Sequence, residues 1–198
     1  MSASRWLGVG VLVLLTGCAG YLLPAPPPTP RYFAPTEPPP PPAVDDPAPI
    51  GVRLLAVRTP VHLREQIVWR RSDVEYGFYE QRRWTEQPSA YVERALAREL
   101  FAVERIPREV APGTPVVTAD VLAFEEVREP AHEARVEITA DLVDGRCLLL
   151  RERFAASRPL GDDDPSDLAR AMGEALADVA HQTGVAIRAA LDRPRRCS

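Results

Sequence analysis

Side chains able to do chemistry are sparse in this chain of 198 residues, and few of them stand together. His62, His132 and His181 are far apart, and none has a second ligand at metal-site spacing. His181 reads as a surface or boundary residue on a late helix. No nucleophile elbow, phosphate loop or dinucleotide fingerprint occurs. Asp162, Asp163 and Asp164 could gather calcium, but they directly precede a helical pattern, whose N-terminus favours acidic caps. Arg70-Arg71 and Arg82-Arg83 could meet anionic phospholipid headgroups, or could simply be solvated rims. The chain therefore reads as no enzyme, with no catalytic residue, metal ligand or cofactor expected. What remains is three cysteines: Cys18, Cys147 and Cys197.

Cys18 closes a segment with one positive charge, Arg5, and an apolar run from Trp6 to Leu15. A basic start, a short apolar core and small residues at the cut make a signal peptide over residues 1–17. The run is too short for a membrane span, which needs roughly 20 apolar residues. Leu14-Leu15-Thr16-Gly17-Cys18 resembles the lipobox of bacterial lipoproteins, in which the thiol is alkylated by a diacylglyceryl group and the new amine is acylated. Only a thiolate is nucleophilic enough for that step at modest pH. The mature chain would then start at lipid-anchored Cys18, outside the cytoplasm. By resemblance to enterobacterial lipoprotein sorting, Ala19, where retention in the inner membrane would call for Asp, implies delivery to the periplasmic face of the outer membrane.

Net charge is −4, and −5 once Arg5 leaves, which gives no reason to expect nucleic acid. All basic residues are Arg. An oxidising compartment would permit a disulfide between Cys147 and Cys197; two free thiols are the alternative.

Half of the residues from Pro24 to Pro49 are proline. Proline fixes φ and removes a donor, so this stretch favours polyproline II. At ~3.1 Å per residue it could reach roughly 80 Å as a semi-rigid spacer. Residues 18–49 are thus expected to be a tether that does not fold with the domain, with Arg31-Tyr32-Phe33 as a short strand docked at the domain edge.

The folded domain is expected over residues 50–192, with a tail at 193–198. Val52 to Val57, Gln66 to Arg70 and Val74 to Tyr79 read as short strands. Pro88 opens a helix in which Val92, Leu96, Leu100 and Val103 recur at helical spacing. Val116 to Val127 is a longer strand. In the next, Val136, Ile138, Ala140 and Leu142 alternate with Arg135, Glu137, Thr139 and Asp141, giving one wet face. Asp144-Gly145 is a hairpin signal leading through Leu148 to Phe154. A long helix follows to about Leu191, with Leu168, Met172, Leu176 and Val179 as its apolar stripe. The fold class is α+β: an antiparallel sheet with two main helices packed on it.

Ile67-Val68-Trp69-Arg70, Glu75-Tyr76-Gly77-Phe78-Tyr79, Arg83-Trp84-Thr85-Glu86 and Pro88 before Ala95-Leu96-Ala97-Arg98 resemble the ABC-type transport auxiliary lipoproteins, which include the paraquat-inducible-type outer-membrane lipoproteins. The long proline insertion after Phe33 departs from that family. The resemblance implies a non-enzymatic adaptor of a lipid-transport system whose inner-membrane ABC transporter works with a periplasm-bridging MCE-domain protein. Its partners would be that complex, the membrane, phospholipid and a further copy of itself. The alternative is a structural envelope lipoprotein that binds peptidoglycan or an outer-membrane barrel. Phe78, Tyr79 and Trp84 crowd a polar stretch beside Arg82, Arg83 and Glu86, which is an interface's composition. Tyr79, Arg82, Arg83 and Trp84 are the expected partner surface, with packing of Trp84 over the first helix as the competing reading.

Overall fold

The computed structural model describes residues 28–193. Cys18, Cys197, the signal segment and most of the tail lie outside them. Seven strands form one mixed sheet: β1 (Arg31–Phe33), β2 (Arg53–Leu54), β3 (Gln66–Arg70), β4 (Tyr76–Trp84), β5 (Val116–Val127), β6 (Glu133–Asp144) and β7 (Cys147–Pro159). Two helices, α1 (Pro88–Arg98) and α2 (Pro165–Asp192), lie on it, and α1 runs on into a π-helical turn at Glu99–Val103. The α+β class read from the sequence holds.

The strand order is β1-β4-β3-β5-β6-β7, with β2 also on β5. The β5-β6-β7 meander and the β3-β4 hairpin are antiparallel, whereas β1-β4, β2-β5 and β3-β5 pair in parallel. Two of the parallel pairs place β2 and β3 along the same edge of β5, one at each end. The expected strand from Val52 to Val57 shrinks to two residues on that shared edge. Between Leu55 and β3 the chain returns to β5 at Arg58, whose N–H donates to the Ala119 carbonyl and whose carbonyl accepts from the Val121 N–H.

Alternation along β5 puts Val117, Ala119 and Val121 on the helix side. A bulge between Val121 and Ala123 then shifts the parity, so that Phe124 enters the core. Glu125 is left to pair with Arg70, at 2.7 Å. Gly145 at φ 61 supplies the left-handed turn residue of the β6-β7 hairpin. Asp164 caps α2 by accepting from the Ser166 N–H at 2.9 Å. That bond holds its carboxyl below the usual range. The acidic run is thus in part a cap, as its place in the sequence implied.

The tether expectation needs correction for residues 34–48. β1 is the short edge strand expected at Arg31-Tyr32-Phe33, and the proline-rich stretch after it is strapped across both helices. Proline cannot donate, but the residues between the prolines can. Thr36 N–H donates to Ala169 O, Val44 N–H to Val103 O, and Ala48 N–H to Arg105 O. The unpaired carbonyls of an extended chain accept in turn from arginines: Pro38 O from Arg98, Asp45 O from Arg105, and Asp46 O from Arg188. Pro35 and Ala48 are buried.

Candidate functional site

Trp84 ends β4 and turns inward, only 1% exposed. Its ring meets Phe124 edge-on at 5.5 Å and Tyr91 at 6.5 Å, while Tyr91 and Phe124 stack at 6.1 Å. It is therefore core, and leaves the partner surface expected from sequence. Arg83 is turned back on its own chain, donating to the carbonyls of Tyr79 and Arg82.

Tyr79 and Arg82 stay together at an open recess of about 450 Å³ lined by Tyr79, Arg82, Arg128, His132 and Asp163. The Tyr79 hydroxyl donates to Glu126 Oε2 at 2.6 Å and accepts from Arg128 at 2.9 Å. Glu126 is buried and also meets His132 Nε2 at 3.1 Å and Arg128 Nε at 3.3 Å. A buried carboxylate so surrounded by donors is well satisfied, which is the condition for keeping it there. Burial, then the bond to Glu126, pushes the Tyr79 hydroxyl above its ordinary range, so it remains a donor and no nucleophile. Arg82 lies over the Tyr79 ring at 4.2 Å, and among the described residues it pairs with no carboxylate. Arg128 is sandwiched between Trp69, at 4.5 Å, and Tyr79, at 5.2 Å. Chemically the recess is a clasp between β3, β4 and β5, with one guanidinium left for an outside anion.

The rings left over are Tyr76, 49% exposed, and Phe78, 39% exposed, packed edge to face at 6.1 Å on the β3-β4 hairpin. Arg70 reaches over Tyr76 at 5.8 Å, His62 stands 5.6 Å away, and Val74 at the tip is 91% exposed. Sequence reasoning named Tyr79 and Trp84 and missed Tyr76. The alternation Tyr76-Gly77-Phe78, with both rings on one face, was the available signal.

His132 and His181 are not alone in space, though both are in sequence. His181 faces Glu99 and Glu104, about 80 residues back, and His132 faces Glu126 on the preceding strand and Asp163. Cys147 is disulfide-bonded, to a partner outside the described residues. Among the described residues no helix is long and apolar enough to cross a membrane.

No curated protein matches this chain. Its fold is similar to the crystal structure of a Xanthomonas campestris protein at TM-score 0.71 and 20% identity, covering 82% of this chain and 98% of that one. A second crystal structure, of an uncharacterized protein, is similar at TM-score 0.63 and 14% identity, covering 80% and 99%. At such identities the likeness is one of fold. A family model described as "ABC-type transport auxiliary lipoprotein component" matches residues 33–183. That span runs from β1 through the sheet and into α2, so the chain belongs to the ABC-type transport auxiliary lipoprotein family.

Proposed function

We propose that this protein is the outer-membrane adaptor of an ABC-linked lipid-transport system. Cys18 anchors it to the periplasmic face, and the domain docks a periplasm-spanning MCE-domain protein. The observation that carries this reading is the exposed ring pair Tyr76 and Phe78 beside Arg70, on a chain of this transport family. Apolar anchors with a charged border make the composition of a docking surface, and lone Arg82 in the neighbouring recess adds a charge for an acidic partner. With Cys18 lipidated, Cys197 is the one thiol left for the Cys147 disulfide.

Mass spectrometry of the native protein is expected to find the mature N-terminus at a lipid-modified Cys18. Cys18→Ala should release unanchored or unprocessed chain. An unmodified N-terminus further downstream would sink the anchor.

Crosslinked capture from intact cells is expected to recover an MCE-domain protein. Truncating hot-spot aromatics typically costs ~2 kcal/mol or more of binding. Tyr76→Ser with Phe78→Ser should therefore cut capture by more than about 30-fold while leaving thermal unfolding nearly unchanged, since both rings already face solvent. Recovery of peptidoglycan or a barrel protein, without the MCE protein, would favour a structural envelope role instead.

A further inference from the structure

We propose that Glu99, Glu104 and His181 form a binding site for one divalent transition-metal ion, with Zn²⁺ the best fit. The three residues come from the π-helical turn after α1 and from α2, and one ligand atom from each lies within 4.8 Å of the others. In an ordinary helix, residues five apart diverge around the axis. The π turn widens the coil so that the Glu104 N–H donates to the Glu99 carbonyl at 2.9 Å, bringing the two side chains to one side.

Both glutamates are 4% exposed. Glu99 meets His181 Nδ1 at 2.7 Å. The Glu104 carboxylate has no hydrogen-bond or ion-pair partner among the described residues, so a buried, unpartnered acid is aimed at the other two groups. An isolated buried carboxylate is costly, and two side by side are more so. Burial, then the charge of Glu99, pushes the Glu104 carboxyl above its ordinary range. Arg188 is near, but its Nη1 is spent on the carbonyls of Asp46 and Glu104, and its Nε faces Asp192 at 3.4 Å.

Two carboxylates and one imidazole make an O₂N donor set suited to zinc and its first-row neighbours, and too nitrogen-bearing for calcium or magnesium. A 2+ ion would neutralise the buried pair. The His181 side chain is 53% exposed, which provides an entry path and room for water as a further ligand. Gly184 makes the approach possible: a Cβ there would come within 2.6 Å of Glu99 Cγ and 3.2 Å of Glu104 Cγ. Bound metal would tie the end of α1 to α2 beside the strap, whose Val44 and Ala48 bond to Val103 and Arg105 on either side of Glu104.

A second cluster, Glu126, His132 and Asp163, serves as the control. Its Glu126 is already saturated by Tyr79, Arg128 and His132, and its Asp163 side chain is 91% exposed.

The test uses the detergent-solubilised full-length lipoprotein, disulfide intact, stripped with chelator and titrated with ZnCl₂ in a calorimeter. One equivalent per chain is expected to bind at micromolar or tighter Kd and to raise the thermal midpoint. His181→Ala and Glu104→Gln should each weaken binding by at least about tenfold, the lower end of what losing even an outer-shell partner costs. Glu104→Gln should meanwhile raise the metal-free midpoint at neutral pH, because it removes a buried charge, and this shows that the variant folds. His132→Ala should bind as the parent does. No saturable equivalent below millimolar zinc, unchanged affinity in His181→Ala, or loss of binding in His132→Ala would each overturn the site.

Discussion

Trp84→Ala is expected to cost about 3–5 kcal/mol of folding stability, the usual range for deleting a buried aromatic. For a domain of this size each kcal/mol moves the midpoint by roughly 2–4 °C, so thermal unfolding should fall by about 10 °C. The indole closes the sheet against α1. It meets Phe124 from β5 and Tyr91 from α1 edge-on, while the Trp84 backbone N–H donates to the Glu65 carbonyl. Ala would leave a cavity that three elements share and cannot collapse to fill. Trp84→Phe tests whether packing or polarity matters. The indole Nε1 has no hydrogen-bond partner, so Phe removes an unsatisfied donor along with part of the volume. It should keep most of the stability. Near-parental unfolding of Trp84→Ala would mean that the ring is not buried in solution, and would return it to the partner surface.

The difference between Trp84 and Tyr76 shows what the sequence could and could not reveal. The meander was legible because β6 alternates cleanly, and a one-residue slip would turn Val136, Ile138, Ala140 and Leu142 to water. The limits of β3 and β5 were equally plain, since β3 centres on Ile67-Val68-Trp69 and half of β5 is β-branched or aromatic. Parallel pairing was not, because no local pattern states which distant edge a short strand will join. The β5 bulge also hid the inward turn of Phe124: strict alternation from Val121 would have sent that ring to the outer face. At the sites the obstacle was distance along the chain. His181 and Glu99 are 82 residues apart, and Tyr79 and Glu126 are 47 apart, so no spacing rule could join them. The two glutamates five apart at the π turn were in plain view, but only a widened coil makes that spacing converge. Exposure along β4 was misjudged because β3 and β4 lose register between Gln66 and Val68, so alternation cannot be counted through from Tyr76 to Trp84.

Replacing residues 36–48 by a Gly/Ser chain of equal length is expected to lower the thermal midpoint, although their composition is that of a detached spacer. The strap contributes three backbone hydrogen bonds, from Thr36, Val44 and Ala48, each worth ~0.5–1.5 kcal/mol net. A flexible chain would also lose the ordering that proline brings before folding. Together these suggest a loss of about 2–4 kcal/mol, or roughly 4–16 °C. Gly173 gives a sharper test that leaves the strap itself intact. A Cβ at that position would sit 1.8 Å from the Thr36 carbonyl oxygen and 2.7 Å from its carbon, both backbone atoms that no rotamer change can move. Ala normally improves a helix interior over Gly by ~1 kcal/mol, so the sign of the effect is informative. Gly173→Ala should destabilise, and Gly173→Val should do so further. Acid-specific proteolysis at Glu37, Asp45 and Asp46 should be slow in the parent and fast in Gly173→Val, since lifting the strap frees Glu37 from Arg94 and Asp46 from Arg188. Unchanged midpoints and equal cleavage would restore the picture of a free tether. A docked strap also shortens the leash. From Cys18 to Pro30 a fully extended chain spans at most about 45 Å at ~3.5 Å per residue, against about 110 Å for all of residues 18–49. With the proposed anchor at Cys18, the domain would then work close to the membrane surface.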